Sequence, residues 1–245
     1  MPNFGLIGKN ISYSFSKSHF TEKFEKEDIN YTYENFDIDE ISQFPSIIKN
    51  HPELLGLNVT IPYKESIIPF LDELNEVAQD IGAVNTIKIE SSGKLKGYNT
   101  DCYGFEKSIQ PLLKPHHKSA LILGTGGASK AVAHALRNLH IPFDFVSRQP
   151  NAEAKYTYIE LDETIIKSAQ IIINCTPIGT YPNVNECPDI PYDALTNEHL
   201  LYDLIYNPIQ TKFLICGEIK GAAITNGLTM LELQAQKSWD LWSMA

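Results

Sequence analysis

A lysine and an aspartate in this sequence carry the side chains needed to exchange a proton with a ligand. Lys64 follows the apolar alternation of residues 57–61, which predicts a β-strand that ends at Pro62, because proline lacks the N–H for the ladder. A helix is expected to begin near Lys64. Asp101 follows a second strand-like stretch, "KLKGY". Lysine can protonate an oxygen that gains negative charge and aspartate can orient it, so the two side chains are candidates for acid–base chemistry. Taken singly, a lysine or an aspartate is usually a solvated charge.

Further polar side chains fall at the ends of neighbouring predicted strands. Ser14 and Ser16 occupy alternate positions of "ISYSFS" and face the same way if that stretch is extended. Thr60, Asn85 and Asp101 lie at the ends of later strands, where open α/β sheets bind ligands. No arginine precedes the glycine-rich turn described next, so hydroxyl groups would have to bind a carboxylate ligand there.

The stretch "LILGTGGASKA" places a glycine-rich turn between an apolar strand and an Ala-rich helix. Glycines allow a tight turn and close backbone approach, and the helix N-terminus attracts phosphate. The match to GxGxxG is imperfect because Ser129 takes the sixth position, and a plain strand–helix turn is the alternative. The context favours a dinucleotide site. Its predicted cradle consists of Gly124, Thr125, Gly126, Gly127 and Ala128.

The end of the next strand indicates which dinucleotide is bound. NAD-binding proteins usually carry an acidic residue there, whereas NADP-binding proteins carry a cation for the 2′-phosphate. Here "FDFVSRQP" ends in Ser147 and Arg148, and the last acidic residue, Asp144, lies inside the strand. The sequence therefore favours NADP.

Strands and helices alternate along almost the whole chain, which predicts an α/β fold with mainly parallel sheets. "NTIKIE" and the residues after it predict a hairpin, and residues 228–245 an amphipathic helix. The polar stretch "KPHHKS" and the helix before it, between residues 101 and 118, mark a domain boundary.

Composition excludes several classes of protein. With 245 residues, 43% of them hydrophobic, and a net charge of −10, the chain predicts a globular protein without a nucleic-acid interface. No apolar stretch is long enough for a membrane helix or reads as a signal peptide, so a cytoplasmic protein is expected. The four cysteines and seven histidines show no metal-ligand spacing, which predicts free thiols and no metal site.

Eight stretches together resemble the shikimate dehydrogenase family. In the family's order they are "GLIGKNISYSFS", "GLNVTIPYK", "GAVNT", "GYNTD", "GTGGASKA", "NCTPIGT", "YDLIYNP" and "NGLTMLELQAQKSW". The resemblance implies reversible, NADPH-dependent reduction of 3-dehydroshikimate to shikimate, in aromatic amino acid biosynthesis. It also implies a substrate domain (residues 1–101 and 228–245), a Rossmann-type NADP domain (residues 102–227) and a cleft between them, in a monomer or homodimer.

The resemblance further implies roles for single residues. Lys64 and Asp101 match the catalytic pair, and Ser14 and Ser16 the ligands of the substrate carboxylate. The other implied substrate ligands are Thr60, Asn85, Tyr206 and Gln234. The implied cofactor contacts, besides the glycine turn, Ser147 and Arg148, are Leu204 and Gly227 near the nicotinamide and Glu76 at the periphery.

Two positions depart from the family pattern. The strand-tip motif commonly reads Asn-Arg-Thr with a second arginine soon after, but here Arg148 stands alone. Leu204 replaces a common methionine, a change that keeps the volume. Two alternatives stay open. One is a quinate/shikimate dehydrogenase with relaxed cofactor use. The other is a non-catalytic dinucleotide-binding regulator, which would need neither Lys64 nor Asp101.

Overall fold

The structure, a computed structural model, describes residues 3–12 and 14–243. Contacts divide the chain into two compact units. Residues up to Thr100 together with those from Ala235 form the first unit, and Asp101–Gln234 form the second. Each unit contains one six-stranded sheet with helices, which confirms the predicted α/β class.

The sheet of the first unit has the strand order β2-β1-β3-β5-β6-β4. Strand β5 runs antiparallel to β3 and β6, and the other three pairings are parallel, so this sheet is mixed. The β5–β6 pair is the predicted hairpin. The elements are β1 (Asn3–Gly8), α1 (Phe15–Lys26), β2 (Thr32–Asp37), α2 (Phe44–Asn50), β3 (Leu54–Val59), β4 (Glu73–Leu74), α3 (Glu76–Ile81), β5 (Thr86–Ile89) and β6 (Leu95–Tyr98).

The sheet of the second unit is parallel throughout, in the order β12-β11-β10-β7-β8-β9. Every residue of β7, β10 and β11 is buried, as expected for parallel strands covered on both faces. The elements are α4 (Asp101–Ile109), β7 (Ala120–Leu123), α5 (Gly127–Asn138), β8 (Phe143–Ser147), β9 (Tyr156–Thr157), α6 (Glu163–Ser168), β10 (Ile171–Asn174), β11 (Leu200–Asp203), α7 (Lys212–Ile219), β12 (Ala223–Thr225) and α8 (Leu228–Ser243).

Helix α8 contributes its residues from Ala235 onward to the core of the first unit. The indole of Trp242 lies against Gly56 of β3 in the space that a Cβ would occupy, and its Nε1 donates to Ile87 O of β5 at 2.9 Å. A larger residue at Gly56 would displace this ring. The end of the chain therefore completes a core that begins at residue 4.

The helix expected near Lys64 is absent. The segment from Ile61 forms turns and a short 3₁₀ helix, Ile68–Phe70, instead of an α-helix. Pro69 is the physical reason, because it lacks the N–H that an α-helix needs at that position. The described part of the chain also contains no helix with the length and apolar character needed to cross a membrane.

Candidate active site

The segment that carries Lys64 is fixed on both sides of that residue. The backbone N–H of Thr60 donates to Ile7 O of β1 at 2.9 Å, and Tyr63 N donates to Thr60 O at 2.9 Å. The carbonyl of Lys64 accepts a hydrogen bond from Val84 N at 2.7 Å. Lys64 itself is half-buried, whereas the preceding Tyr63 is buried. The position of the Lys64 backbone is therefore set by β1 and by the segment before β5.

Thr60 lies close to Gly8, at the end of β1. A Cβ built on Gly8 would be 2.5 Å from Thr60 Cγ2 and 2.5 Å from Ile11 Cγ2. No side chain fits there without moving one of these two neighbours. Glycine at this position therefore lets the chain after β1 pack directly against Thr60.

Asn85 belongs to a buried polar network beside Thr60. Its Nδ2 donates to Thr100 Oγ1 at 2.9 Å, and its Oδ1 accepts from Thr100 N at 2.7 Å. Ser238 Oγ, on α8, lies 2.8 Å from Thr86 Oγ1 and 3.1 Å from Asn58 Nδ2. Asn85 precedes β5, so it was wrongly expected at the carboxyl end of a strand. It reaches the same edge of the sheet because β5 is antiparallel.

The two predicted carboxylate-binding serines sit at the start of α1, which contradicts the extended conformation expected for them. Ser14 is the N-cap residue, and its Oγ accepts from Lys17 N at 3.4 Å. A capping serine starts a helix because it satisfies a backbone N–H of the first turn. Ser16 is buried in that turn and hydrogen-bonds Tyr33, whose hydroxyl also donates to Asn58 Oδ1 at 2.8 Å. Burial raises the pKa of Tyr33, which keeps that hydroxyl protonated.

Asp101 is the first residue of α4 and is buried, with 6% of its surface exposed. A carboxylate at this position is favoured by the helix dipole. Three residues later, a Cβ on Gly104 would lie 2.5 Å from Met230 O and 3.0 Å from Gln234 Cβ. Helices α4 and α8 therefore touch through Gly104, and this contact positions the buried Gln234.

We predict that Gly104→Ala lowers both stability and turnover. The added methyl group collides with backbone at Met230, so α4 and α8 must separate, at a cost of about 1–3 kcal/mol in unfolding free energy. The shift also moves Asp101 and Gln234. Chemical denaturation and steady-state kinetics measure the two effects. Lys107→Ala, at an exposed position of the same helix, is the control. Full turnover of Gly104→Ala would contradict the prediction.

The glycine turn fits the pyrophosphate of a dinucleotide. Gly124 has φ +106°, a backbone conformation that favours glycine. Gly126 is the N-cap of α5, no side chain caps this helix end, and a Cβ on Gly126 would meet no atom within 4 Å. The first N–H groups of α5 are thus accessible to an anion. Ser129, at the position of the third glycine in the motif, is buried and donates to Gly126 O at 2.6 Å.

The tip of β8 presents one cation. Arg148 is exposed, directly after the last residue of the strand. Ser147 is buried, and its hydroxyl donates to Gln149 O, so it has only acceptor capacity left. Lys155, the next cation along the chain, is paired with Asp144 at 2.8 Å. Arg148 therefore has the position and the charge expected of a 2′-phosphate ligand.

A second buried network holds the loops at the carboxyl ends of β10 and β11. Asp203 accepts hydrogen bonds from Asn174 Nδ2 at 3.0 Å, Thr211 Oγ1 at 2.6 Å and Ile205 N at 3.0 Å. Asn174, Asp203 and Thr211 have no exposed surface. Burial raises the pKa of Asp203 to about 6, against the opposing effect of its three hydrogen bonds. No local sequence pattern singled out this aspartate or its two side-chain partners.

Leu204 and Gly227, predicted at the nicotinamide end, lie in contact. The N–H of Gly227 donates to Ile205 O at 3.1 Å, and a Cβ at Gly227 would overlap the carbonyl of Leu204. Tyr206 follows in the same loop. It is half-buried, and burial raises its pKa. Because Asp203 holds the start of this loop, it positions all three predicted ligands.

Two predictions about the site, the pairing of Lys64 with Asp101 and the cofactor contact of Glu76, rest on the sequence alone. Lys64 belongs to the first unit and Asp101 to the second, and their pairing stays a prediction. Glu76 is exposed at the first turn of α3, where a negative charge favours the helix, and its cofactor role also stays a prediction. Among the described residues, no group of three or more His, Cys, Asp or Glu side chains could hold a metal ion.

Residues 6–87 match the family model described as the shikimate dehydrogenase substrate binding domain. The shikimate dehydrogenase (NADP(+)) of Desulforamulus reducens is 35% identical over 98% of this chain and 89% of its own. The shikimate 5-dehydrogenase of Thermus thermophilus, solved with NADP(H) and shikimate, is 29% identical with a TM-score of 0.88, covering 99% of this chain and 94% of its own.

A quinate dehydrogenase from Corynebacterium glutamicum, solved with NAD, has the same fold at 25% identity, with a TM-score of 0.86 over 99% of this chain and 93% of its own. The 35% identity over 98% of this chain and 89% of that relative, together with the family model over residues 6–87, decides the assignment. The chain belongs to the shikimate dehydrogenase (NADP+) family.

Proposed function

We propose that this chain catalyses the reversible, NADP-dependent reduction of 3-dehydroshikimate to shikimate. One observation carries the proposal: the second unit has a turn that fits a dinucleotide pyrophosphate, with Gly124 at φ +106° and an uncapped helix after it. Relatives named shikimate dehydrogenase (NADP(+)) support the choice of substrate and cofactor.

In this proposal the first unit binds the substrate and the second binds the cofactor. Ser14 and Ser16 bind the substrate carboxylate. The ligands of the ring hydroxyls are Thr60, Asn85, Tyr206 and Gln234. The network around Asn85 supports its role, because two hydrogen bonds to Thr100 hold the amide in one orientation. A side chain fixed before the ligand arrives loses less entropy on binding.

The bound nicotinamide supplies the hydride in the reduction and accepts it in the oxidation. Negative charge develops on the substrate oxygen as the carbonyl is reduced, and Lys64 neutralises it by donating a proton. In the oxidation, the neutral amine of Lys64 takes the hydroxyl proton. Asp101 orients Lys64 and accepts a hydrogen bond from a substrate hydroxyl group before its proton is transferred to Lys64.

Ser14→Ala should raise the KM for shikimate about tenfold with a smaller effect on kcat, because one hydrogen bond to the substrate carboxylate is lost. Ser14 also caps α1, so alanine costs about 1 kcal/mol of stability as well. Ser14→Asp separates the two roles, since aspartate caps equally well but repels a carboxylate. Its KM should rise further while the unfolding free energy stays constant. An unchanged KM in both variants would remove Ser14 from the substrate site.

The decisive experiment follows the absorbance of reduced nicotinamide in four reactions that combine shikimate or quinate with NADP+ or NAD+. Shikimate with NADP+ should give the highest kcat/KM. Equal use of quinate and NAD+ would indicate a quinate/shikimate dehydrogenase instead. No turnover in any reaction, with retained cofactor binding, would indicate a regulator.

We further propose that the enzyme works in the cytoplasm. All four cysteines are free thiols, the form that a reducing compartment maintains. A monomer or a homodimer is the predicted assembly, and gel filtration with light scattering tests it.

A further inference from the structure

An open cleft of about 580 Å³ lies beside the tip of β8 in the second unit. Its lining includes Arg148, Tyr158 and Lys212. Glu186 and Asp189 also line the cleft, so its two cations are balanced by two carboxylates. The net charge of the cleft therefore does not attract a phosphate group. Specific donors near Arg148 have to provide any selectivity for it.

Strand pairing places Tyr158 and Arg148 at the same edge of the sheet. Strands β8 and β9 are parallel, and Ser147 is paired with Thr157 at their ends. Arg148 directly follows β8, and Tyr158 directly follows β9, where it begins a short 3₁₀ helix, Tyr158–Glu160. Both side chains line the same cleft.

The Tyr158 hydroxyl oxygen is buried and has no hydrogen-bond partner among the residues that the structure describes. Such a group costs stability, because it has lost water without gaining a protein partner. Burial raises the pKa of Tyr158 to about 12, with Arg148 opposing the rise, so the hydroxyl keeps its proton near neutral pH. The Tyr158 hydroxyl can therefore donate a hydrogen bond to a ligand.

We propose that the Tyr158 hydroxyl is the second ligand of the NADP 2′-phosphate, beside Arg148. This assignment rests on the proposed function. A phenol O–H donates one charge-assisted hydrogen bond to a phosphate oxygen. No second arginine lies between Arg148 and Tyr158 in the sequence, so a neutral donor can take that role. The Tyr158 side chain is neutral. Selectivity for the 2′-phosphate therefore depends on the positive charge of Arg148 and on the position of the Tyr158 hydroxyl.

Tyr158→Phe tests the assignment, because it removes only the hydroxyl. Calorimetry with adenosine 2′,5′-bisphosphate and with 5′-AMP measures binding without catalysis. We expect the affinity for the bisphosphate to fall about tenfold and the affinity for 5′-AMP to stay constant. The unfolding free energy should stay constant or increase, because an unpartnered buried hydroxyl is removed. If Tyr158 only supported packing, Tyr158→Phe would lower the unfolding free energy and leave the affinity for the bisphosphate unchanged.

Tyr156→Phe is the matched control. Tyr156 lies two residues earlier and lines a different cleft, with Asp144 and Lys155. This variant should bind both adenosine ligands like the wild type. Unchanged bisphosphate affinity in Tyr158→Phe, or an equal loss of affinity for both ligands, would overturn the assignment of Tyr158. The proposed function would still stand if the wild type formed NADPH in the presence of shikimate. A wild-type protein that bound neither ligand and formed no NADPH would overturn both.

Discussion

Replacing Lys64 by alanine should lower kcat for shikimate oxidation by roughly 10²–10⁴-fold while NADP+ still binds. The reason is the loss of the only group that we propose to move the substrate proton. The flanking backbone should stay in place, because the hydrogen bond from Val84 N goes to the Lys64 carbonyl and not to its side chain. Steady-state kinetics and a fluorescence titration with NADP+ measure the two quantities.

Lys64→Met makes the same test without a cavity, since methionine keeps an unbranched apolar chain of similar length. Both variants should be equally slow. Lys167→Ala is the control for loss of one positive charge, because Lys167 is an exposed partner of Glu163 on α6. Turnover near the wild-type value in Lys64→Met would exclude Lys64 as the proton donor.

Asp203→Ala should lower the free energy of unfolding by roughly 3–5 kcal/mol and weaken NADP+ binding. Two buried donors, on Asn174 and Thr211, and the partly buried Ile205 N would lose their common acceptor, and each uncompensated group is costly. The loop that contains Leu204 would lose its anchor at the same time. Chemical denaturation and calorimetry with NADP+ measure the two losses. A decrease in unfolding free energy of less than about 1 kcal/mol would show that the hydrogen bonds to Asp203 do not stabilise the fold.

Asp203→Asn should be much milder and should reveal the titration of the carboxylate. Its Oδ1 can keep two of the three hydrogen bonds, and the Thr211 hydroxyl can rotate to accept from the new amide. The pKa of Asp203 is raised from 3.8 to about 6 in the folded protein. The stability that this protonated carboxyl contributes is therefore fully present below pH 3.8, the pKa in the unfolded chain, and is lost as the pH rises through 6.

The wild type should therefore gain roughly 1 kcal/mol relative to Asp203→Asn between pH 7 and pH 5. The difference between the two proteins removes the effect of every other titrating group. A constant difference over this pH range would mean that Asp203 ionises at its ordinary pKa.

Local patterns in the sequence were sufficient for the α/β class and for the glycine turn. Both depend on residues that are near one another along the chain: period-2 alternation, Ala-rich helices and glycines at a strand–helix junction. Eight motifs in one order were sufficient for the family, which the 35% identity with a known member confirms. Assignments of single site residues came with that resemblance.

The same local reasoning failed where two conformations competed. The alternation of Ser14 and Ser16 fits an extended chain, but Ser14 accepts a hydrogen bond from Lys17 N and starts a helix. Lys64 stands where a helix could begin, yet Pro69 limits the segment to a 3₁₀ turn. Both conformations depend on a single backbone N–H, which Ser14 caps in the first case and Pro69 lacks in the second. A hydrophobic pattern contains no information about such hydrogen bonds.

Only the tertiary structure decided which polar groups support the site. Asn58 and Ser238 are 180 residues apart in the chain and 3.1 Å apart in the fold. Asp203 joins the ends of two strands and the start of α7. Tyr158 and Arg148 line one cleft because the strands that they follow, β9 and β8, are paired. The sequence by itself determined the chemical groups and their order. Their partners depended on strand register and helix packing, because those bring together residues that no local pattern connects.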